Sequence, residues 1–565
     1  MKIPLLLLAS WAVFAAEPTL EIKLDQAGYL PAAPKMAVVA VDKPASIFFV
    51  RRSIGNADVF HGKLAPARQD ADSGDAVQLA DFSALKEPGD YYLDVPGVGR
   101  SWKFSIGENV YRRAYYLAMR SYYGQRCGTA VDLGPEFPGF RHDACHLDGA
   151  WHASSGKTGR RVSQGGWHDA GDYGRYIVNS GISTGTLLWT WEMFGARVSA
   201  VKLNIPESGN GTPDMLSEIK WNLDWMLSMQ DDGGGVWQKQ TSERFCGFIM
   251  PEKDTLVSYV IGTGKEPYKS SCATGDFAAV MAIAARAFRP FDRAYADRCL
   301  AAARKAWVWL ERNPNVIFRN PPGVSTGEYG DADCSDERLW AAAELWRTTG
   351  EGPYENYFLA HYTEFHLGPT APPEGWAKVS NMALWTYVLG GGKNSAAVES
   401  IRHESAAAAD QIVERTGANG YRISMQRSDY VWGSNGVAAN YGMQLLVANA
   451  FHADARYRQA ALENLHYLLG RNTFSLSFVT QVGEHPYRHP HHRPSAADNN
   501  AEPWPGLLSG GPNPGRQDAV SQKLPAGLPP EKMYVDDEGS YSTNEVAINW
   551  NAPLVFLLAA ELPAR

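Results

Sequence analysis

The chain carries the run Gly-Gly-Trp-His-Asp-Ala-Gly-Asp-Tyr at residues 165–173, in which two aspartates, Asp169 and Asp172, stand three residues apart. Glycines allow unusual backbone angles and let another group approach the chain closely. The run therefore predicts a fixed loop that presents both carboxylates, rather than the solvated face of a helix. This spacing of acids is also common in turn caps and metal sites. Whether the two aspartates are catalytic therefore depends on the rest of the chain.

A second acidic cluster lies far downstream and contains Asp536, Asp537, Glu538 and Glu545. Glycoside hydrolysis needs one carboxylic acid to protonate the leaving oxygen and one carboxylate to act on the sugar or on water. Acids at both ends of one large domain suggest such a pair. Glu545 precedes an apolar stretch that predicts a buried helix, and loss of solvation there would raise its pKa, as a proton donor requires. The alternative is a carboxylate that merely favours a helix start.

Length and charge set outer bounds on the protein. The 565 residues are too many for one ordinary core, so two domains are expected. The net charge of −8 and the lack of a basic stripe argue against a nucleic-acid partner. Aromatic residues make up 12% of the chain, which suits both a sugar-binding cleft and a large core.

Residues 1–16 begin with a lysine, continue with an apolar run and end in small residues. This pattern is typical of a secretory signal, cleaved near Ala15 or Ala16. The apolar run is too short to span a bilayer as a mature helix. We therefore expect a secreted or periplasmic protein that has no membrane contact in its mature form.

The pattern of hydrophobic and turn residues changes near residue 107, from strand-like to helix-like. Before it, short β-rich runs separated by turn residues predict a β-sandwich, at residues 20–24, 35–41, 46–51, 90–95 and 101–106. The alternative is that these strands belong to a larger mixed domain. After it helical patterns dominate, and several are apolar nearly all round, which indicates burial on more than one side. Long loops lie between them, the longest at residues 482–544, and such loops are usually functional. A helical barrel with a loop-built cleft at one end fits this pattern.

Four segments together resemble glycoside hydrolase family 9, the cellulase group with an (α/α)6 barrel that often follows an N-terminal immunoglobulin-like domain. They are residues 23–41, 165–181, 477–493 and 534–552, and the resemblance covers essentially the whole mature chain. It implies an Ig-like β-sandwich at residues 18–107 and an all-α (α/α)6-barrel catalytic domain at residues 108–565. One departure is His485, where the family usually has Asn, Lys or Arg.

The resemblance implies a role for each acid. Asp172 becomes the general base, Asp169 helps to position the water, and Glu545 becomes the general acid. The family inverts the anomeric configuration, which implies carboxyl groups roughly 6.5–9.5 Å apart, with room for a water between them.

Substrate contacts are expected from the same motifs. His491 and Arg493 should line the cleft and bind sugar hydroxyls, and an arginine fork also suits a carboxylate. The alternative for the histidine-rich residues 485–492 is a metal-binding tract. Tyr541 and Trp432 are candidate stacking residues, for which core packing is the alternative.

Two metal sites are candidates. Cys127, Cys145, His146 and His168 could complete a tetrahedral zinc shell, although a disulfide between the two cysteines is the alternative in a secreted protein. Similar Cys…Cys-His…His series in the family favour structural zinc.

The second candidate is an oxygen-rich loop. Glu207, Asn210 and Asp214 could bind calcium, or could form a turn with Asp214 near a helix start. No organic cofactor is expected.

The resulting hypothesis is a secreted inverting hydrolase of β-1,4-glucosidic bonds in cellulose, mixed-linkage glucan or cello-oligosaccharides. One alternative is an exo-acting β-glucosidase or exo-β-glucosaminidase of the same family. A second is a non-catalytic glycan-binding protein, which the intact acids argue against. No cellulose-binding module or Pro/Ser/Thr-rich linker is evident, so soluble or short chains are the expected substrate.

Overall fold

The computed structural model describes residues 17–368 and 373–564. The secretory signal predicted at residues 1–16 lies outside the described residues. Two kinds of architecture follow one another along the chain, strands first and helices afterwards.

Two antiparallel sheets form the N-terminal part. In strand order they are β1-β2-β6-β5 and β4-β3-β7-β8, with β9 also paired to β7. The strands are β1 (Ile22–Lys23), β2 (Met36–Ala40), β3 (Ile47–Arg52), β4 (Asp58–Lys63), β5 (Arg68–Gln69), β6 (Ala76–Asp81), β7 (Gly89–Val95), β8 (Gly99–Arg100) and β9 (Phe104–Ile106). Because side chains alternate between the faces of a strand, Phe48 and Val50 of β3 both enter the core between the sheets. The predicted β-sandwich is confirmed.

Helices dominate the rest of the chain. They are α1 (Arg112–Gly124), α2 (Ile177–Val198), α3 (Asp214–Ser228), α4 (Ser271–Phe288), α5 (Arg293–Arg312), α6 (Ser335–Thr349), α7 (Gly352–His361), α8 (Ser380–Leu389), α9 (Ser395–Ala418), α10 (Ser434–Phe451), α11 (Ala455–Leu468), α12 (Arg493–Ala497), α13 (Tyr541–Asn544) and α14 (Ile548–Ala560). Several of these helices begin after a polar N-cap residue. Ahead of α4, for example, the Ser270 hydroxyl accepts a hydrogen bond from the Ala273 amide.

An inner set of helices carries the core of this larger part. In α4 every residue except Arg286 is buried, as the small and apolar sequence of the helix predicts. The inner helices pack side by side, α2 on α4, α4 on α6, α6 on α8, α10 on α14 and α14 back on α2. Helices α1, α3, α5, α7, α9 and α11 alternate with them along the chain. This arrangement is the (α/α)6 barrel that the sequence predicted.

A small mixed sheet, which the sequence analysis did not predict, is built from the loops between these helices. Its order is β13-β12-β16-β15-β14, and only β12 and β16 are parallel. The strands are β12 (Asp148–Trp151), β13 (Arg160–Val162), β14 (Arg175–Tyr176), β15 (Lys239–Thr241) and β16 (Ser258–Ile261), and a separate pair is β10 (Val131–Asp132) with β11 (Arg141–His142). The sheet gives the long loops a fixed framework.

The sandwich is held to the barrel by buried polar and aromatic contacts. Asp25 accepts a hydrogen bond at 2.7 Å from the His466 ring, and the Gln26 amide donates to the Ser475 carbonyl at 2.9 Å. The ring of Trp102 stacks on His485 with centroids 4.7 Å apart. The residue that departs from the family pattern therefore serves the contact between the two parts of the chain.

Two further facts concern the described residues as a whole. A disulfide, not predicted from the sequence, joins Cys272 at the start of α4 to Cys334 just before α6. None of the helices in the described ranges is both long and apolar enough to pass through a bilayer.

Candidate active site

An open cleft of about 910 Å³ lies among the loops of the barrel. Acids from the two distant motifs face it together with aromatic side chains. The lining includes Asp169, Asp172, Tyr176, Phe245, Asn320, Thr326, Gly327, Glu328, Tyr329, Trp376, Trp432, His491, Arg493, Tyr541, Glu545 and Trp550. A cleft of this size, in which several aromatic rings lie beside converging polar groups, is typical of a ligand site.

The loops that carry the acids are joined directly through their backbones. Ala170 pairs with Ala547 in an isolated antiparallel bridge, and the Ile548 amide donates to the Asp169 carbonyl at 2.9 Å. His491 forms a parallel bridge with Glu545. The fold thus brings the early aspartates and the late glutamate to one cleft, although 373 residues separate Asp172 from Glu545.

Both oxygens of Asp169 are engaged within the protein. The Asn179 amide donates to Oδ1 and the Tyr329 hydroxyl donates to Oδ2, each at 2.6 Å. Burial raises the pKa of Asp169 to about 8, the charge of Asp172 adds to the rise, and the two donated hydrogen bonds act in the opposite direction. The side chain is fixed in place, as a residue that positions another group has to be.

Asp172 is hydrogen-bonded on one side only. Its Oδ2 accepts from the Gly174 amide and from the Tyr176 hydroxyl, both at 3.2 Å. Within the described ranges no protein group donates to Oδ1, so that oxygen is left for a molecule in the cleft. Of the two aspartates, Asp172 is the one with a carboxylate oxygen open to accept a proton.

Glu545 stands between α13 and α14, three residues before the start of the buried helix α14. Its pKa is held well above the usual range by burial and by the charges of Asp172 and Asp169, against smaller opposite effects of Arg493 and Trp432. The alternative of a capping carboxylate does not apply, since Ala547 holds the N-cap position of α14. A carboxyl that keeps its proton near neutrality can donate it to a leaving oxygen.

Arg493 holds the loop that carries Asp169 and Asp172. Its guanidinium donates to the Gly171 carbonyl at 2.7 Å and to the Cys246 carbonyl at 3.1 and 3.2 Å. A Cβ at position 171 would lie 2.0 Å from the His491 carbonyl oxygen, so this close approach requires glycine. The arginine lines the cleft, and its guanidinium binds backbone carbonyls, whereas the sequence had also suggested a carboxylate partner; its contact with sugar stays a prediction.

The remaining sugar-contact candidates sit along the same cleft. His491 lines the cleft, and its Nδ1 interacts with the Glu538 carbonyl at 2.6 Å. The rings of Trp432 and Tyr541 lie 5.3 Å apart, and Trp432 is 41% exposed. Core packing, the alternative for both, therefore fails for Trp432. The nearby His485, His489 and His492 bind separate partners and are not grouped as ligands among the described residues.

The four zinc candidates do lie together. One ligand atom each from Cys127, Cys145, His146 and His168 fall within 4.8 Å of one another. Both cysteines are free, so the alternative of a disulfide between them is not adopted. His146 binds the Asp254 carboxylate through Nε2 at 3.3 Å, while its Nδ1 is buried with no hydrogen-bond partner in the described part of the chain.

This donor set fits a metal ion. An imidazole held by a carboxylate on one nitrogen and bare on the other is the usual form of a metal-ligating histidine. The other group of potential ligands within the described residues contains Cys272 and Cys334, whose sulfurs are already joined as a disulfide.

The calcium candidates are each engaged with protein groups. Glu207 forms an ion pair with Arg126, and Asn210 accepts from the Thr212 amide. Asp214 is the first residue of α3, and its Oδ2 accepts from the Leu203 amide and the Ser208 hydroxyl, both at 2.7 Å. The alternative of a turn beside a helix start describes this geometry, and calcium at this position stays a prediction.

Several residues of the site were not singled out from the sequence. Asn179 lies within the quoted segment 165–181, in the first turn of α2, and its place in that segment was the available signal. Tyr329 stands in the Gly-Glu-Tyr-Gly run at residues 327–330, and Trp376 packs against its ring at 5.2 Å. Nothing local in the sequence connects either residue to the aspartates.

Profiles of two known protein families together match most of the chain. The sequence profile described as "Glycosyl hydrolase family 9" matches residues 111–558, and the profile described as "Cellulase N-terminal ig-like domain" matches residues 17–100.

Individual proteins are similar over nearly the whole length. Endoglucanase D of Acetivibrio thermocellus is 40% identical over 95% of this chain and 83% of its own length. A cellodextrinase of Butyrivibrio fibrisolvens is 36% identical over 96% of this chain and 100% of its own. The crystal structure of a Zn-binding triple mutant of the family 9 endoglucanase J30 is 36% identical with a TM-score of 0.89, covering 95% of this chain and 100% of that one.

Proposed function

The chain belongs to glycosyl hydrolase family 9, and from this membership and the geometry of the cleft we propose that it hydrolyses β-1,4-glucosidic bonds of soluble glucans and cello-oligosaccharides with inversion. The observation that carries the proposal is that Asp169, Asp172 and Glu545 face one cleft lined by aromatic rings. Relatives named endoglucanase and cellodextrinase support the β-1,4-glucan as substrate class.

In the proposed reaction Asp172 accepts a proton from water through its free Oδ1. The water attacks the anomeric carbon while Glu545 donates its proton to the leaving glycosidic oxygen. Asp169 acts by positioning, because its carboxyl group, fixed by Asn179 and Tyr329, favours one orientation of the attacking water. After the bond breaks, Glu545 is ionised and Asp172 protonated, and exchange with solvent restores both groups.

The aromatic residues of the cleft favour a glucan chain as the substrate. Flat rings such as Trp432 and Tyr541 stack on the apolar faces of pyranose rings, and the open cleft admits a chain rather than a single sugar. Cleavage within a chain is therefore favoured over release of single residues from an end.

A structural zinc ion at Cys127, Cys145, His146 and His168 is part of the proposal. His168 directly precedes Asp169, so a metal held by these residues would brace the loop that carries both aspartates. The ion would complete a closed four-ligand shell, and no step of the reaction is assigned to it. We likewise propose export of the mature protein and a division between folding units near residue 107.

Proton NMR of cellotetraose during hydrolysis tests this proposal. We expect the newly formed reducing ends to appear as the α-anomer before mutarotation, with cellobiose among the first products. Initial release of the β-anomer would contradict the inverting assignment. Release of glucose alone from the start would favour the exo-acting alternative, and no turnover of any β-glucan would favour a non-catalytic glycan-binding protein.

A further inference from the structure

Lys239 lies in β15 beneath the cleft and is fully buried. Its ammonium donates to the Asn320 side-chain oxygen at 2.7 Å, to the Thr326 hydroxyl at 3.1 Å and to the carbonyls of Thr326 and Gly327 at 3.3 and 2.7 Å. All these acceptors belong to one segment, residues 320–327. That segment forms part of the cleft wall, where Asn320, Thr326 and Gly327 are lining residues.

The same strand connects Lys239 to the aspartate loop. Within the mixed sheet Lys239 pairs with Tyr176 of β14, and the Tyr176 hydroxyl donates to Asp172. The wall segment continues into Tyr329, whose hydroxyl holds Asp169. The lysine therefore joins the wall of the cleft to the side that carries the proposed base.

A buried ammonium is costly unless its donors are satisfied. Burial lowers the pKa of Lys239 to about 7, while the charges of Asp172 and Glu328 act in the opposite direction. The surroundings offer several acceptors and suit the protonated form, whose N–H groups can all donate. An apolar side chain of similar length would fill the space and leave those acceptors unpaired.

We propose that Lys239 is a positioning residue: its ammonium holds residues 320–327 in place and so sets where the substrate meets this wall of the cleft. The inference rests on the proposed glucan hydrolysis. It concerns the position of the wall, and no proton transfer is assigned to the lysine.

The test compares Lys239→Met with a matched control, Lys269→Met. Lys269 is also largely buried, forms an ion pair with Asp231 and lies over the Trp237 ring at 4.9 Å, but neither of these partners lines the cleft. Both variants lose a buried ion, so both should melt at lower temperature than the wild type. On cellotetraose we expect KM to rise by about tenfold in Lys239→Met and by less than about twofold in Lys269→Met.

An unchanged KM in folded Lys239→Met would overturn the inference, and so would an equal rise in the control. Wild-type turnover of the same substrate tests the proposed function separately, so the two ideas can fail independently. A double-mutant cycle with Asn320→Ala adds a second readout. If the Lys239–Asn320 contact positions the wall, adding Asn320→Ala to Lys239→Met should raise KM little further. If the two substitutions instead raise KM independently, so that their fold-changes multiply in the double variant, the inference is contradicted.

Should Lys239→Met fail to fold, Thr326→Val decides. This nearly isosteric change removes the hydroxyl that accepts from the lysine, together with its weaker donation to the Ser242 carbonyl at 3.2 Å, and leaves the backbone carbonyl acceptors in place. We expect KM on cellotetraose to rise by about threefold, and a KM equal to that of the wild type would overturn the inference.

Discussion

Replacing Tyr329 by phenylalanine removes one hydroxyl from the site and leaves the ring in place. That hydroxyl donates to Asp169 Oδ2 at 2.6 Å, and the ring packs against Tyr176 at 4.9 Å and Trp376 at 5.2 Å. The substitution therefore tests a single hydrogen bond to a buried carboxyl. The aspartate keeps its other donor, Asn179.

The size of the effect follows from the chemistry of that bond. A hydrogen bond to a charged group contributes about 1.5–3 kcal/mol, which corresponds to roughly a ten- to 150-fold fall in kcat/KM if the ionised form is needed. The bond from Tyr329 lowers the pKa of Asp169, so its loss should raise that pKa further, by about one to two units. The acidic limb of the rate profile should then move to higher pH.

The assay is kcat/KM on cellotetraose between about pH 4 and about pH 9, compared with the matched control Tyr441→Phe. Tyr441 is also buried and donates to a carboxylate, Asp429 Oδ2, at 2.9 Å, but it lies away from the cleft. We expect a comparable loss of stability in both variants and a shifted pH profile in Tyr329→Phe alone. A profile unchanged in Tyr329→Phe, or shifted equally in the control, would refute the reasoning.

Other predictions concern stability and metal. Burial and the charges of Asp70, Asp72 and Asp75 hold the pKa of Glu531 well above its usual range. Because the folded protein therefore binds this proton more tightly than the unfolded chain does, the protonated carboxyl contributes its full stabilisation below about pH 4.5. As the pH rises, the free energy of unfolding should fall by up to ~1.4 kcal/mol per pH unit. Glu531→Gln should abolish this decline in urea unfolding measured across pH, and an unchanged slope would argue against it. A chelator should lower the melting temperature of the wild type but not that of Cys127→Ser, and wild-type protein found free of zinc by mass spectrometry would contradict the metal assignment. Trp102→Ala should cost about 1 kcal/mol of stability through the lost stacking on His485 while leaving KM unchanged, because neither residue lines the cleft; a changed KM would be inconsistent with that view.

The inner helices show how much of the fold the sequence predicted. The apolar, alanine-rich run in α4 indicated burial on all sides, and the structure agrees. Helix α2 was not singled out because its glycines, serines and threonines are weak helix formers. Its backbone is nevertheless helical because those small residues allow close packing. A Cβ on Gly185 would lie 2.6 Å from the Trp340 ring.

Strands with mixed exposure were harder to predict. β4 is half-exposed along its length and lacks a clean alternation of buried and exposed residues, so its sequence carries no strand signal. The same holds for the mixed sheet beside the cleft, whose strands pair only after the barrel has brought distant loops together.

In the site, the acids could be predicted and their partners could not. Asp169, Asp172 and Glu545 sit in motifs with recognisable surroundings. Tyr329 meets Asp169 across 160 residues, and Lys239 meets Asn320 across 81. Such contacts depend on the three-dimensional arrangement of loops, which no local pattern encodes.

The central claim is that Glu545 supplies a proton to the leaving oxygen and Asp172 takes one from water. Glu545→Gln and Asp172→Asn should each lose about a thousandfold in turnover of cellotetraose. An aryl cellobioside with a dinitrophenolate leaving group needs no proton to depart. On that substrate Glu545→Gln should keep activity within about tenfold of the wild type, while Asp172→Asn stays inactive. Equal losses of both variants on the aryl substrate, or normal cellotetraose turnover by either, would contradict the assignment.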